Sequence, residues 1–275
     1  MLIAIACTNF GPMKADRAQR QRREVKYLVS EEKARAVGGQ VREYLEPDES
    51  AAGRPDHTYG VQTLYLDSDN LLTYHAAAEG WRNRFKLRVR YYDDDPASPV
   101  FLEIKRRLDE GILKQRARVR REAVAALLAG AGPDPAQLHA WEPRQWADLI
   151  DFWRLAAEIG AAPRLHNAYE REAYESRGER DVRVTIDRRV RAEPEFGAEL
   201  TTRLVDPVEV FPGTVILELK FTARMPEWML SLVRDFGLRR SGAAKYGEAV
   251  ERLGPRRVAC RPAGRAPGSG WAGPP

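Results

Sequence analysis

The chain has 275 residues, 43% hydrophobic and 31% charged, with a formal net charge of +5. That length holds one large domain or two ordinary ones, and near-balance of charge means that an anion site requires cations and anions to be sorted in space. Two cysteines, Cys7 and Cys260, argue against a disulfide framework and fit a reducing compartment, while no apolar run approaches a membrane span.

The apolar opening over 1–7 lacks a basic n-region, so a cytoplasmic location is expected, with Met1 or Met13 as the start. After an Arg-rich lead, alternation predicts a strand over 24–29 that sets Glu24 and Lys26 on one face. Ser30, Glu31 and Glu32 form an N-cap and acidic first turn, predicting a helix towards residue 45. Gly38-Gly39 opposes it at about 1 kcal/mol per glycine. A loop over 46–55 leads to a strand over 58–66, rich in aromatic and β-branched residues. Asp67, Ser68 and Asp69 then cap a short helix closed by Gly80.

The next stretch carries the most distinctive pattern. Over 84–90, Arg84, Lys86, Arg88 and Arg90 share one strand face, and Phe85, Leu87 and Val89 share the other. A strand over 100–107 follows, with Glu103, Lys105 and Arg107 on one face. Asp109-Glu110-Gly111 turns it into a strand over 112–120 with Lys114, Arg116, Arg118 and Arg120 aligned; Arg118, Arg120 and Arg121, near its end, read as solvated. Helices are predicted around 122–129 and 141–159, the second with an apolar stripe of Trp146, Leu149, Ile150, Trp153, Leu155 and Ala156 that reads as core. Strands resume at 165–175, aligning Tyr169, Arg171 and Ala173, and at 181–190, aligning Arg183, Thr185, Asp187 and Arg189. A strand over 215–221 sets Glu218 and Lys220 against Leu217, Leu219 and Phe221. Helices over 226–236 and 243–253 complete one domain at 22–253. The lead over 1–21 is expected to be disordered or mis-started, and the Pro-, Gly- and Arg-rich tail over 254–275 disordered.

Several strands thus pair an apolar face with a charged face of many cations and a few glutamates. Cations on neighbouring strands repel. An open basic sheet could tolerate this through solvation and screening, and could bind nucleic acid. A closed sheet would put the apolar faces outward under helices and leave a charged interior that only water and a polyanion could fill. Guanidinium groups match phosphate oxygens, and inward carboxylates among such cations suit a hard divalent ion shared with phosphate. His57, His75, His139 and His166 show no zinc-like spacing, and no Gly-rich phosphate loop or Gly-x-Ser-x-Gly elbow is present.

The segments 22–27, 61–68, 86–92, 101–106, 169–174, 183–187 and 217–220, together with Lys245-Tyr246-Gly247, resemble in order and spacing the VTC domain. This is the polyphosphate-polymerase branch of the triphosphate tunnel metalloenzymes, related to CYTH domains. The resemblance implies an α+β fold: a closed antiparallel β-barrel tunnel of about eight strands with helices packed on the outside. It implies that Lys26, Arg88, Arg90, Lys105, Arg171, Arg183 and Lys245 hold phosphates and that Glu218 holds Mg²⁺ or Mn²⁺. Lys220 is a further phosphate contact, and Glu24 and Glu103 further metal ligands; Lys26, Arg88, Arg90, Lys105 and Lys245 serve catalysis. The implied partners are ATP and polyphosphate or another triphosphate. The sequence departs from the eukaryotic members in showing no SPX-like domain or membrane helices, which puts coupling of synthesis to transport in doubt. Metal-dependent ATP-driven polyphosphate synthesis releasing ADP is the leading expectation. A metal-dependent triphosphatase, or a non-catalytic module for RNA, polyphosphate or inositol phosphates, is the alternative.

Overall fold

The computed structural model describes residues 22–108, 111–177, 181–222 and 224–259. The lead over 1–21, Asp109 and Glu110 of the expected turn, Cys7 and Cys260, and the tail from 260 onward lie outside them. The strands are β1 (Arg22–Val29), β2 (Glu46–Pro47), β3 (Thr58–Asp67), β4 (Arg84–Tyr91), β5 (Val100–Leu108), β6 (Gly111–Val119), β7 (Ala162–Glu175), β8 (Val182–Pro194), β9 (Val208–Glu209) and β10 (Val215–Thr222). The helices are α1 (Glu31–Val41), α2 (Leu72–Ala78), α3 (Ala123–Leu128), α4 (Pro143–Ile159), α5 (Glu227–Asp235), α6 (Lys245–Leu253) and α7 (Pro255–Ala259). All strand pairs are antiparallel, in the spatial order β1-β10-β8-β7-β3-β4-β5-β6, with the two-residue β2 and β9 beside β7 and β8.

Register carries one face across the whole sheet. Lys26 opposes Glu218, Glu218 opposes Thr185, and Asp187 opposes Arg171. Arg171 opposes Tyr59, Tyr65 opposes Arg88, Arg88 opposes Glu103, and Glu103 opposes Arg116. The sheet curls strongly around this face: Lys105 of β5 reaches to 3.6 Å from Glu24 of β1, although the two strands lie near opposite ends of the order.

The expected closed barrel is therefore found in part, as a half-barrel. Among the described residues β1 and β6 do not pair, and both edges have other partners. Tyr27 of β1 bridges Arg240, and the Ser241 amide donates to the Lys26 carbonyl at 2.9 Å. On β6, the amides of Arg116 and Arg118 donate to Asp148 (3.1 Å) and Gln145 (3.0 Å) of α4, while Arg118 and Arg120 bond the 137–139 segment. Backbone groups satisfied in this way no longer call for a neighbouring strand.

Two cores form on the convex face. α1 and α5 cover β1, β8 and β10, and α3 and α4 cover β3 to β6. A third core corrects the expectation that all helices lie outside. α6 and α7, with α2 beside them, fill one end of the concave face, where Tyr246, Ala249, Val250 and Leu253 pack with the inward-facing Tyr59, Val61, Tyr65, Leu165, Tyr169 and Ile216. The helix expected over 243–253 forms as α6, but helical periodicity says nothing of which sheet face receives a helix. α7 extends the packed part past 253, with Val258 fully buried. Along α4, which starts at Pro143 and leaves Trp141 exposed, Leu149, Phe152 and Leu155 form the buried stripe; Ile150 is solvent-facing. Arg189 leaves the expected alignment because the β7–β8 register shifts there, with its own φ at +50°.

Gly38 explains why a glycine interrupts α1. A Cβ there would meet Glu172 Oε1 at 3.2 Å and Ile186 Cδ1 at 3.3 Å, so its absence lets the helix lie close on β7 and β8. Gly39 has nothing within 4 Å. In urea denaturation, Gly38→Val should destabilise by roughly 1–3 kcal/mol, whereas Gly39→Ala should stabilise by up to about 1 kcal/mol.

Candidate functional site

The wall made by β1, β10, β8 and β7 holds cations and carboxylates in alternation. Glu218 lies at its centre. Lys220 Nζ is 2.6 Å from Glu218 Oε2, and Lys26 and Lys245 stand 3.1 and 3.4 Å from Oε1. Thr185 donates to Oε2 at 3.3 Å, and Arg171 lies at 3.9 Å. Lys26 also contacts Glu24 at 3.1 Å, so one ammonium bridges two carboxylates. Asp187 accepts both arms of Arg171 at 2.7 and 2.8 Å, and contacts Lys245 at 2.6 Å. Arg183 pairs with Glu175 at 3.0 Å and with Asp48.

The wall made by β4, β5 and β6 is different. Its inward row of Lys86, Arg88, Arg90, Lys105, Lys114, Arg116 and Arg118 includes one carboxylate, Glu103. That carboxylate is 0% exposed and holds Arg88 at 2.6 Å, Arg116 at 2.6 Å and Lys114 at 2.8 Å. Among the described residues Arg90 bonds only neutral groups, the hydroxyls of Thr63 and Tyr169 at 3.2 Å, and its Nε is buried without a partner. Arg118 Nε is likewise unpartnered among the described residues. The concave face thus sets a nearly balanced wall against one rich in cations.

Proton affinities follow from this sorting. Burial and the nearby Glu218 push the Glu24 carboxyl up, but Lys220, Lys105 and Lys26 outweigh them and hold it at about 2. Asp187 is raised by burial and held at about 2 by Arg171 and Lys245. Glu218, although desolvated, is kept well below the usual carboxylate range by Lys220, Lys26, Lys245 and Arg171. His166 lies outside this face. Burial pushes it down to about 4, and it bonds Gln62 at 2.9 Å and Tyr91 at 3.2 Å, consistent with a structural role.

All the residues singled out from the sequence, Lys26, Arg88, Arg90, Lys105, Arg171, Arg183, Lys220, Lys245, Glu24, Glu103 and Glu218, fall on this one concave face. Lys245 arrives from the first turn of α6 rather than from a strand. Asp187, Tyr169 and Arg116 also belong here and were not assigned a role. For Asp187 and Arg116 the signal was already in the alternation; for Tyr169 it was the alignment with Arg171.

The family model of the VTC domain matches residues 21–253. The chain belongs to the VTC domain family. It is thereby a CYTH-like triphosphate tunnel domain, of a family whose members include polyphosphate polymerase catalytic domains and whose chemistry is phosphoryl transfer. No curated protein matches the chain. No helix among the described residues is long and apolar enough to cross a membrane.

Tunnel metalloenzymes of this kind generally use divalent metals. Among the described residues no three His, Cys, Asp or Glu side chains gather into a cage. The donor set nevertheless fits an ion carried on phosphate, which takes only one or two protein carboxylates. Glu24 and Glu218 already share a single cation, the Lys26 ammonium.

The depressed carboxyls give a sign for acid stability. Between their ordinary values near 4 and about 2, the unfolded chain binds protons that the folded chain refuses, so stability rises with pH across that window. Melting temperature should begin to fall below about pH 6.5, where the unfolded chain protonates His166 and the fold refuses that proton, and should fall further from pH 4 towards pH 2 as the depressed carboxyls take up protons. Asp187→Asn should melt lower at pH 7, by an amount equivalent to roughly 3–5 kcal/mol for a broken buried pair, and lose less on acidification than the parent protein.

Proposed function

We propose that this VTC domain lengthens polyphosphate from ATP in a metal-dependent reaction that releases ADP. The observation that carries the reading is the excess of inward cations on β4, β5 and β6 facing a wall that contains Glu218. Arg88, Arg90 and Lys105 clamp the donor phosphates from one side, while Lys26, Arg171, Arg183, Lys220 and Lys245 hold phosphate oxygens from the other. Planar guanidinium groups fix orientation, and the ammonium groups supply point charge.

Glu218, with Glu24 beside it, would hold Mg²⁺ or Mn²⁺. When bound, such an ion neutralises charge that develops on the transferring and leaving oxygens. Lys26 would then move from bridging the two carboxylates to a phosphate oxygen. Glu103 was expected as a third ligand. Its enclosure by Arg88, Lys114 and Arg116 suits it better as a fixed counter-charge that positions those cations.

Phosphoryl transfer needs alignment and charge neutralisation more than covalent help from the protein. A terminal oxygen of the acceptor chain bonds to the γ-phosphorus, the β–γ bridging P–O bond breaks, and its electron pair leaves on ADP. ATP as donor suits a cytoplasmic location, and the inward direction of the cations disfavours nucleic acid as a partner.

One observation favours a second reading. α6 fills one end of the concave face, which suits a short triphosphate with water as acceptor. Purified protein with ATP and Mn²⁺ or Mg²⁺ should yield long polyphosphate and ADP, resolved by gel electrophoresis; orthophosphate as the sole product would reject synthesis in favour of a triphosphatase. Glu218→Gln should lower turnover on the order of 100-fold, the equivalent of a few kcal/mol of metal-based stabilisation, while tripolyphosphate binding without metal is largely kept.

A further inference from the structure

The register of β4, β5 and β6 sets Lys86, Lys105 and Lys114 directly opposite one another, three ammonium groups in one row. Like charges so placed repel. Lys114 has Glu103 at 2.8 Å, and Lys105 has Glu24 at 3.6 Å. Lys86 pairs with neither: among the described residues it makes no ion pair with a carboxylate, and the charges that act on it most are Lys105, Lys26 and Arg84, with the phenol of Tyr65 from β3. Its ammonium lies 5.4 Å from the ring centroid of Tyr246 on α6. A lysine with a structural role in a crowded basic face would be expected to hold a carboxylate, as Lys26, Lys220 and Lys245 do.

The position of Lys86 is also specific. Arg90, Arg88 and Lys86 succeed one another at every second residue of β4, so three inward rows span roughly 14 Å, at two rises of about 3.4 Å per step. Lys86 closes this ladder next to α6, where Tyr246 is anchored by its hydroxyl to the buried Asp67 at 2.7 Å. Burial pushes the ammonium down to about 8, and Lys105, Lys26 and Arg84 act in the same direction, partly offset by Tyr65. An anion arriving at this row would relieve that strain rather than compete with an existing ion pair.

We propose that Lys86 is a phosphate-binding residue of the channel, and that the lysine row extends the anion site beyond the Arg88 and Arg90 rows to hold a linear chain of phosphates. This rests on the reading that the concave face takes a phosphate chain, and it adds a residue and a direction to it. The chain lies along β4, with one end at Arg90 and the other at Lys86 and Tyr246.

The test uses inorganic tripolyphosphate titrated calorimetrically, without metal, into the full chain and its Lys86→Met and Lys86→Arg variants at pH 7, with thermal melts of each ligand-free protein. Lys86→Met should bind about tenfold more weakly, the loss of one charge-assisted contact, and Lys86→Arg should retain most of the affinity. Ligand-free Lys86→Met should melt at the same or a higher temperature, because a repelling charge without a carboxylate partner is gone. Unchanged affinity in Lys86→Met would overturn the assignment and leave the phosphate-channel reading standing. A lower melting temperature for that variant, or failure to fold, would overturn it too, by revealing a structural partner. No binding by the parent protein would overturn both.

Discussion

Repulsion between cations on adjacent strands is the constraint on which this fold turns. Two unit charges about 5 Å apart at an effective dielectric of 20 repel by about 3 kcal/mol, and by a few tenths to 1 kcal/mol when well solvated. The β4, β5 and β6 wall places such pairs in consecutive rows with Glu103 as the carboxylate within it. What offsets the repulsion lies behind the sheet. Leu87, Val89, Leu102, Ile104, Ala117 and Val119 alternate with those cations and are 0–1% exposed under α3 and α4. Full burial of a large aliphatic side chain contributes about 1.5–3 kcal/mol, so the apolar backs of the strands can hold the charged fronts together.

Curl follows from the same arrangement. A flat sheet would leave the two walls unable to exchange charge, whereas the half-barrel brings Lys105 to Glu24 across the concave face and gathers four cations around Glu218. The open edges do not undermine this, because residues 240–241 satisfy β1, and α4 and the 137–139 segment satisfy β6. α6 then performs two tasks. Its apolar side seals one end of the concave face, and its first residue delivers Lys245 between Asp187 and Glu218.

Much of this was legible in the sequence, and the reason is period. Alternation at 84–90, 100–107 and 215–221 gives both the strand and the identity of the inward residues, since side chains two apart must share a face. That is why Arg88, Lys105 and Glu218 could be set on the charged faces of their strands without a structure, while the roles expected of them came from the resemblance to the VTC domain. Pairing was not legible. Whether Glu103 meets a metal or three cations depends on the register of β5 against β4 and β6, which no local pattern encodes. The same holds for the bond of Asp187 to Arg171, for the shift that turns Arg189 outward, and for the edge partners that leave the sheet a half-barrel. α6 shows a related limit: a helix was expected there, but its concave position depends on contacts such as that of Tyr246 with Asp67, 179 residues away.

The central claim is that a phosphate chain and a divalent ion inside the concave face neutralise cations that the protein itself leaves unbalanced. The most direct measurement is a crystal structure with a non-hydrolysable ATP analogue and Mn²⁺, using anomalous scattering to locate the metal. The account predicts manganese on Glu218 and phosphate density along β4, within hydrogen-bonding distance of Arg88 and Arg90. Phosphate bound on the convex face, or manganese held by carboxylates remote from Glu218 while the concave cations keep only water, would contradict it.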